Sequence, residues 1–457
     1  MSIFINKRMV DIAMKSKNIK TYTELAERLS IDRTQLSNML NKDYSPIRTN
    51  ANKLMEELEM GIDDFLKEEI SIKKIKYEQI GEQLGLDFDE VIYEDIDYIQ
   101  ENKKYKLDVF DELKEFQPKK NFISVETFAG AGGLQLGLEK AKINTLAAIE
   151  LDKFATETLR RNTAGVKILE EDINNIANNG LNKYISQNEI DSVDILSGGY
   201  PCQSFSYAGK RKGLADIRGT LFYPYSEILK QINPKIFIAE NVKGLTTHDK
   251  GKTLYTMIKV FEKQGYIIYW NIFNAWDYNV AQKRERIFII GIREDLKKKE
   301  NTPFKFPAKL KYRPVLKDVI KDVPESPGME YSDKKREVMK LVPPGGCWVD
   351  LPEELAKEYM GKSYYSGGGK RGMARRLSWD EPSLTLTTSP NQKQTERCHP
   401  DETRPLRVRE YARIQGFPDN WEFFGGIGNQ YKQIGNAVPV DLAQYIGLSV
   451  NKYLSQF

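Results

Sequence analysis

Cysteine and histidine are scarce in this 457-residue chain: three of the first (Cys202, Cys347, Cys398) and two of the second (His248, His399). Three cysteines cannot build a disulfide framework, and so few soft ligands leave little for a zinc site. A reducing, cytoplasmic compartment and no metal are therefore expected. Long apolar runs are also missing; none approaches the roughly 18 consecutive residues that span a bilayer. The first residues, MSIFINKRMVDIAMKSK, alternate charge with apolar side chains and carry no secretory core. Neither membrane insertion nor export is expected. What the chain does have is 40% hydrophobic and 29% charged residues, enough for a sizeable core and more than one domain.

Net charge is small, +4, but unevenly spread. Residues 61–120 carry ten Lys/Arg against seventeen Asp/Glu, a balance of −7, whereas residues 1–60 come to +2 and residues 121–457 to +9. A basic excess in the large C-terminal part suits a polyanionic partner, although many soluble domains are basic.

Residues 1–65 have the pattern of a small all-α domain. Leu25, Ala26 and Leu29 share one helical face, which Ile31, Leu36, Met39 and Leu40 continue after a break at residues 30–32, with Thr23 and Asp32 as suitable N-caps. Arg33, Thr34, Gln35, Ser37 and Asn38 open the second helix with polar groups. This stretch resembles the repressor-like helix-turn-helix domains of phage and restriction-system regulators, whose second helix enters a major groove; a plain helical bundle is the alternative. Residues 66–120 are predicted to be an acidic helical linker or accessory segment. From Phe122, short apolar runs (122–125, 145–149, 193–196, 236–238, 287–290) alternate with helical patterns. That is the signature of an α/β fold with a mostly parallel sheet and helices on both faces. Residues 293–403 break the rhythm with Pro, Gly and Tyr clusters and are expected to form a small irregular domain. The α/β domain would then be 121–292 together with 404–457.

Chemistry is concentrated at the predicted strand tips. The run Phe128-Ala-Gly-Ala-Gly-Gly-Leu-Gln-Leu-Gly137 follows the first strand and leads into a helix. Glycines let backbone approach a ligand and the helix start offers free N–H groups. Alone, this turn fits a phosphate, a dinucleotide or another nucleotide-like cofactor, but no Walker lysine follows it. Glu150 ends the next strand and Asp172 the third, carboxylates placed to accept from ribose hydroxyls. Cys202 lies in Gly199-Tyr-Pro-Cys-Gln203 at the end of a further strand, facing the crevice where a thiolate can act; an inert, semi-buried cysteine is the alternative. Glu240-Asn-Val242 closes the next strand and Gln282-Lys-Arg284-Glu-Arg286 opens the one after. A cysteine, a carboxyl and two arginines thus converge, which is more specific than any one of them. Cys398 and His399 are adjacent but have no partner pair at zinc spacing.

Across residues 122–457 the chain resembles the DNA (cytosine-5) methyltransferases. The motifs that carry this are Phe128–Gly137, Gly199–Gln203, the loop 206–219 with Thr220-Leu-Phe222, Glu240–Val242, Gln282–Arg286, Arg404-Pro-Leu-Arg-Val-Arg-Glu410 through Pro418, and Gln433-Ile-Gly-Asn436-Ala-Val, in the family's order. The resemblance implies an S-adenosylmethionine-dependent methyltransferase (Rossmann-like) fold of bacterial restriction–modification type. It makes Cys202 the nucleophile toward cytosine C6, Glu240 the group that hydrogen-bonds or protonates N3, and Arg284 and Arg286 the holders of the base's carbonyl edge. It carries S-adenosylmethionine contacts, with S-adenosylhomocysteine as product, to Phe128, Gly130, Gly132, Leu134, Glu150, Leu151, Asp172, Ile173, Pro201, Asn436 and Ala437; Phe128 is also a candidate for plain core packing.

It further implies double-stranded DNA as partner, a base flipped from the duplex, closure of the loop 206–219 over DNA, and target recognition within 293–403. In that last region Lys362–Arg371, Arg375-Arg376 and Thr385–Thr388 offer basic and polar side chains expected to be exposed. A monomer is expected in catalysis. The N-terminal domain adds a second hypothesis, binding to the protein's own operator DNA. A tRNA-modifying relative is disfavoured by the long insertion before Arg404 and by residues 1–65.

Overall fold

The computed structural model describes residues 10, 13, 14, 16, 17, 19, 21–40, 53, 54, 57, 58, 96–113, 115–200, 221–365 and 372–457. Pro201, Cys202, the loop 206–219 and residues 366–371 lie outside them. The chain divides into two compact units, residues 1–94 and 95–457.

In the first unit, helix α1 (Tyr22–Arg28) is capped by Thr21, whose side chain accepts from Glu24 N at 3.1 Å. The expected cap, Thr23, is already inside the helix: Thr21 is the residue with extended φ/ψ of −139°/153°, so the helix starts two residues earlier than a cap at Thr23 would set it. Helix α2 (Arg33–Met39) follows Asp32, which accepts from Gln35 N at 2.7 Å while the Gln35 side chain accepts from Asp32 N at 3.2 Å. Leu25, Ala26, Leu29, Leu36 and Leu40 pack with Val10, Met14, Ile19 and Leu54 as one core, the face predicted for them.

The second unit begins further upstream than the predicted boundary at 120. Helix α3 (Tyr98–Lys103) is fastened by Asn102 Nδ2 donating to Gly251 O at 2.7 Å. Leu107 N donates to Trp270 O at 3.1 Å and Trp270 N donates to Tyr105 O at 3.0 Å, after which strand β1 (Phe110–Asp111) pairs with residues 306–307. This segment covers a strand edge that would otherwise offer unpaired backbone to solvent. An acidic composition conceals the pairing.

The main sheet contains β2 (Phe122–Thr127), β3 (Ile143–Glu150), β4 (Lys167–Glu170), β5 (Ile195–Gly198), β6 (Ile236–Val242), β7 (Tyr266–Asn274) and β9 (Glu285–Arg293), with the two-residue β8 (Gln282–Lys283) between the last two. Their order is β4-β3-β2-β5-β6-β9-β7, and all run parallel except β9, which is antiparallel to both neighbours. Successive strands are added outward in one direction from β2 (to β3 and β4) and in the other from β5 (to β6), so the crevice for a ligand lies beyond the carboxyl ends of those two parallel strands. The strands are apolar on both faces because helices cover both. Helices α4 (Gly133–Lys140) and α12 (Val440–Leu454) lie on one side, burying Leu134, Leu138, Leu442 and Ile446. Helices α6 (Ile173–Asn179), α7 (Phe222–Ile232) and α8 (Lys252–Lys263) lie on the other, burying Ile176, Ile228 and Phe261. Helix α5 (Lys153–Asn162) connects β3 to β4.

Residues 293–403 carry only short elements among the described residues, including strand β10 (Phe306–Pro307) on β1 and helix α9 (Leu316–Ile320). Two side-chain expectations fail here, the second in part. Arg376 is 4% exposed, and its guanidinium donates to Val342 O and Met339 O, both at 2.7 Å, and to other carbonyls. It holds loops together rather than facing solvent. The run 385–388 is structural in part: it continues β11 (Ser383–Leu384), which pairs parallel to β8, and Leu386 is 1% exposed, whereas Thr388 is exposed as expected. Helices α10 (Val408–Ile414) and α11 (Ile427–Asn436) precede α12 and bury Tyr411, Tyr431 and Ile434 with Leu386.

Candidate active site

The turn after β2 is built from left-handed backbone. Phe128, Gly130 and Gly132 have φ of +54°, +54° and +87°. A Cβ at Gly132 would sit 2.9 Å from both Leu159 and the Trp421 ring, whereas one at Gly130 would meet nothing within 4 Å. Gly130 thus faces open space and Gly132 faces packing. Gly130 N donates to Glu150 Oε2 at 2.8 Å, while Glu150 Oε1 accepts from Leu151 N and Asp152 N at 2.9 and 2.8 Å. The β3 carboxylate therefore ties the two adjacent turns together. Leu151 beside it is 64% exposed, an apolar side chain held out at the crevice. Asp172 caps α6, accepting from Asn174 N at 2.8 Å, and Ile173 is buried just after it. Leu134 packs beneath the turn in the core, and Phe128 is half-buried against the core on the opposite side. Ala437 lies against the start of α4, 3.1 Å from where a Cβ on Gly133 would be; Asn436 beside it is exposed.

Across the crevice, Glu240 near the end of β6 is 8% exposed and its Oε1 is 2.9 Å from Arg286 Nε. Burial pushes this carboxyl above its usual range, against the pull of Arg286 and Arg284. Glu240 Oε2 would be 2.7 Å from a Cβ at Gly199, so only glycine lets the chain after β5 pass so close to the acid. Asn241 Nδ2 donates to Tyr200 O at 2.9 Å, and the Tyr200 ring is buried among Phe222 and Tyr225. Residues 199 and 200, which lead into Pro201 and Cys202, are thus fixed against Glu240 and Asn241. Arg284 is placed differently from Arg286. Its guanidinium donates to Leu386 O and Gly435 O at 3.0 Å and to Ala437 O at 3.2 Å, and it is 2% exposed.

Residues 122–452 match the model of the C-5 cytosine-specific DNA methylases. The chain is 59% identical over 453 residues to the type II methyltransferase M.Sau96I of Staphylococcus aureus, covering 99% of both chains. It is 51% identical to M.Eco47II of Escherichia coli over 71% of this chain and 78% of that one. A crystal structure of a prophage-encoded DNA modification methyltransferase from E. coli covers 73% of this chain and 100% of its own, at TM-score 0.54 and 22% identity, a likeness of fold. The chain belongs to the C-5 cytosine-specific DNA methylase family. It is a DNA (cytosine-5-)-methyltransferase.

That family implies S-adenosylmethionine, and the groups at the crevice of this methyltransferase suit it: an open glycine, a carboxylate at each of two neighbouring strand tips and an exposed apolar side chain. Four contributors are not signalled as such by the sequence. Trp421 Nε1 donates to Ala131 O at 3.1 Å and its ring closes over Gly132, which no pattern near the turn signals. Asn241 was quoted only as part of a motif. Gln282 and Gln415 form a buried pair at 2.7 Å, although both stand in motifs already recognised. His399 Nδ1 accepts from Asp401 N and Glu402 N at 3.3 and 3.1 Å, a local structural role beside buried Cys398. No helix among the described residues is long and apolar enough to cross a membrane.

Proposed function

We propose that this methyltransferase modifies C5 of a cytosine flipped out of a specific double-stranded DNA sequence, as the modification partner of a restriction endonuclease, and acts as a monomer. The observation that carries the site assignment is the buried Glu240–Arg286 pair standing against Gly199, three residues before Cys202. The Cys202 thiolate attacks C6 of the cytosine, and the displaced electron pair makes C5 nucleophilic. Glu240, whose hold on its proton is strengthened by burial, donates to N3 and neutralises the charge that develops in the ring. Arg286 orients Glu240 and its charge favours the thiolate. S-adenosylmethionine supplies the methyl group when bound. Loss of the C5 proton to water and expulsion of the Cys202 thiolate then restore the aromatic ring. Gly130, Gly132, Glu150, Leu151, Asp172, Ile173, Asn436 and Ala437 line the cofactor crevice, with Pro201 at its methionine end; residues 293–403 read the sequence and the loop 206–219 closes on it.

Tritium transfer from labelled S-adenosylmethionine to DNA tests this, with Cys202→Ala as control. Incorporation that persists in the variant refutes the nucleophile. Bisulfite sequencing of DNA from an expressing cell reports product and target site together. A second activity is favoured by α2, whose Arg33, Thr34, Gln35 and Ser37 are all exposed: residues 1–65 bind the enzyme's own operator DNA as a helix-turn-helix. Equal affinity of the full chain, at moderate salt, for its upstream DNA and for random duplex lacking methylation sites removes that role.

A further inference from the structure

Gln282, Arg284 and Arg286 alternate along one stretch, and each grips something different. Arg286 holds Glu240. Gln282 Oε1 accepts from Leu386 N at 2.8 Å while Arg284 donates to Leu386 O at 3.0 Å, so both backbone groups of one residue in the 293–403 region are held by two side chains. The same two side chains reach the segment at the cofactor crevice. Arg284 donates to Gly435 O and Ala437 O; Gln282 Nε2 donates to Gln415 Oε1, and Gln415 Nε2 donates to Ile434 O and Ala437 O at 2.8 and 3.0 Å. The two gripped segments also touch directly, because a Cβ at Gly435 would lie 2.1 Å from Thr387 O. Arg284 makes no carboxylate contact among the described residues, and its Nε has no partner. A buried guanidinium serving only carbonyls is costly to keep, and neutral side chains would fasten two loops more cheaply.

We propose that Gln282 and Arg284 are positioning residues that couple the seating of the recognition region, through Leu386, to closure of the cofactor crevice, through Gly435–Ala437. DNA binding then tightens cofactor binding, and cofactor tightens DNA binding by the same factor. The inference rests on the proposed function, since it takes 293–403 as the DNA reader and Asn436–Ala437 as crevice closure.

Calorimetry of S-adenosylhomocysteine binding to the full chain, with and without a duplex carrying the site mapped by bisulfite sequencing, tests it. The wild type is expected to bind at least about fivefold more tightly with DNA. In Arg284→Lys, which keeps the charge but cannot span three carbonyls, that ratio is expected to fall toward one. A wild-type ratio of one overturns the coupling. So does a variant in which affinity drops equally with and without DNA, the signature of a merely structural role. Should the variant not fold, hydrogen exchange in the wild type decides: the Leu386 amide should exchange more slowly once S-adenosylhomocysteine binds without DNA, and unchanged exchange overturns the proposal. Failure to bind S-adenosylhomocysteine at all, or absence of methylated DNA, instead refutes the underlying assignment and the coupling falls with it.

Discussion

Two buried glutamates in the catalytic unit stand in contrasting surroundings. Glu240 is pushed up by burial against the downward pull of two arginines, so it holds its proton to higher pH than an exposed carboxyl. The expected consequence is that turnover falls as pH rises through its pKa. Glu240→Gln, which cannot deliver a proton, should lower kcat by about a hundredfold or more and abolish that alkaline limb. Single-turnover methylation between pH 6 and 9 checks both. Glu126, inside β2, has no such arginine: it is 1% exposed, its Oε2 has no partner, and burial followed by the charges of Glu139 and Glu150 holds its pKa well above the usual range. The folded state therefore binds a proton that the unfolded state has released. Stability from this group is fully present below its unfolded pKa of about 4.5 and is lost as pH rises through the folded value. Glu126→Gln should remove that dependence, giving a Tm gain over wild type at pH 8 that shrinks at pH 5. A Tm loss that deepens toward pH 8 would refute the neutral assignment.

At the scale of elements, glycine has two separable jobs that a motif merges. The run Phe128–Gly137 is legible in sequence as one cofactor loop, but of its glycines only Gly130 faces open space. A Cβ at Gly137 would stand 2.4 Å from Val440 O and 2.5 Å from Ala443 Cβ, because α4 and α12 cross there in backbone contact. Gly137→Ala gains about 1 kcal/mol of helix propensity, but the clash should cost more, about 2–3 kcal/mol. A net loss is expected in thermal denaturation, with cofactor affinity measured at low temperature nearly unchanged. Gly199→Ala should do the reverse: its Cβ strikes Glu240 Oε2, so methylation falls while Tm holds. Apolar runs mark β2, β3, β5, β6 and β9, because strands covered on both faces are continuous apolar stretches, but they do not mark β4 or the edge strand β7. It could not separate Arg284 from Arg286, two residues apart and chemically identical, since what distinguishes them is which distant carbonyls happen to lie within reach. Arg376 and Thr385 are less exposed than their sequence suggests for a related reason: a polar side chain that satisfies backbone carbonyls looks, in sequence, like one that faces water.

For the molecule as a whole, the division at 94/95 leaves residues 122–452, which match the methylase family, entirely within the second unit. A chain starting at residue 95 should fold and methylate DNA with kcat near that of the full protein. A chain starting at residue 121, the boundary that composition favours, should not behave the same way. It lacks α3 and β1, together with the bonds from residues 102–107 to Trp270 and Gly251. Trp270 is 5% exposed only because that segment lies over it, so removal uncovers an indole and the open edge of β7 at once. Exposed sheet edges with apolar side chains recruit other chains, so this shorter form is expected to lose several degrees of Tm and to aggregate during purification. Light scattering and thermal melts of the two truncations side by side provide the comparison. If both were equally stable and monodisperse, residues 96–120 would be an appendage and not part of the catalytic unit.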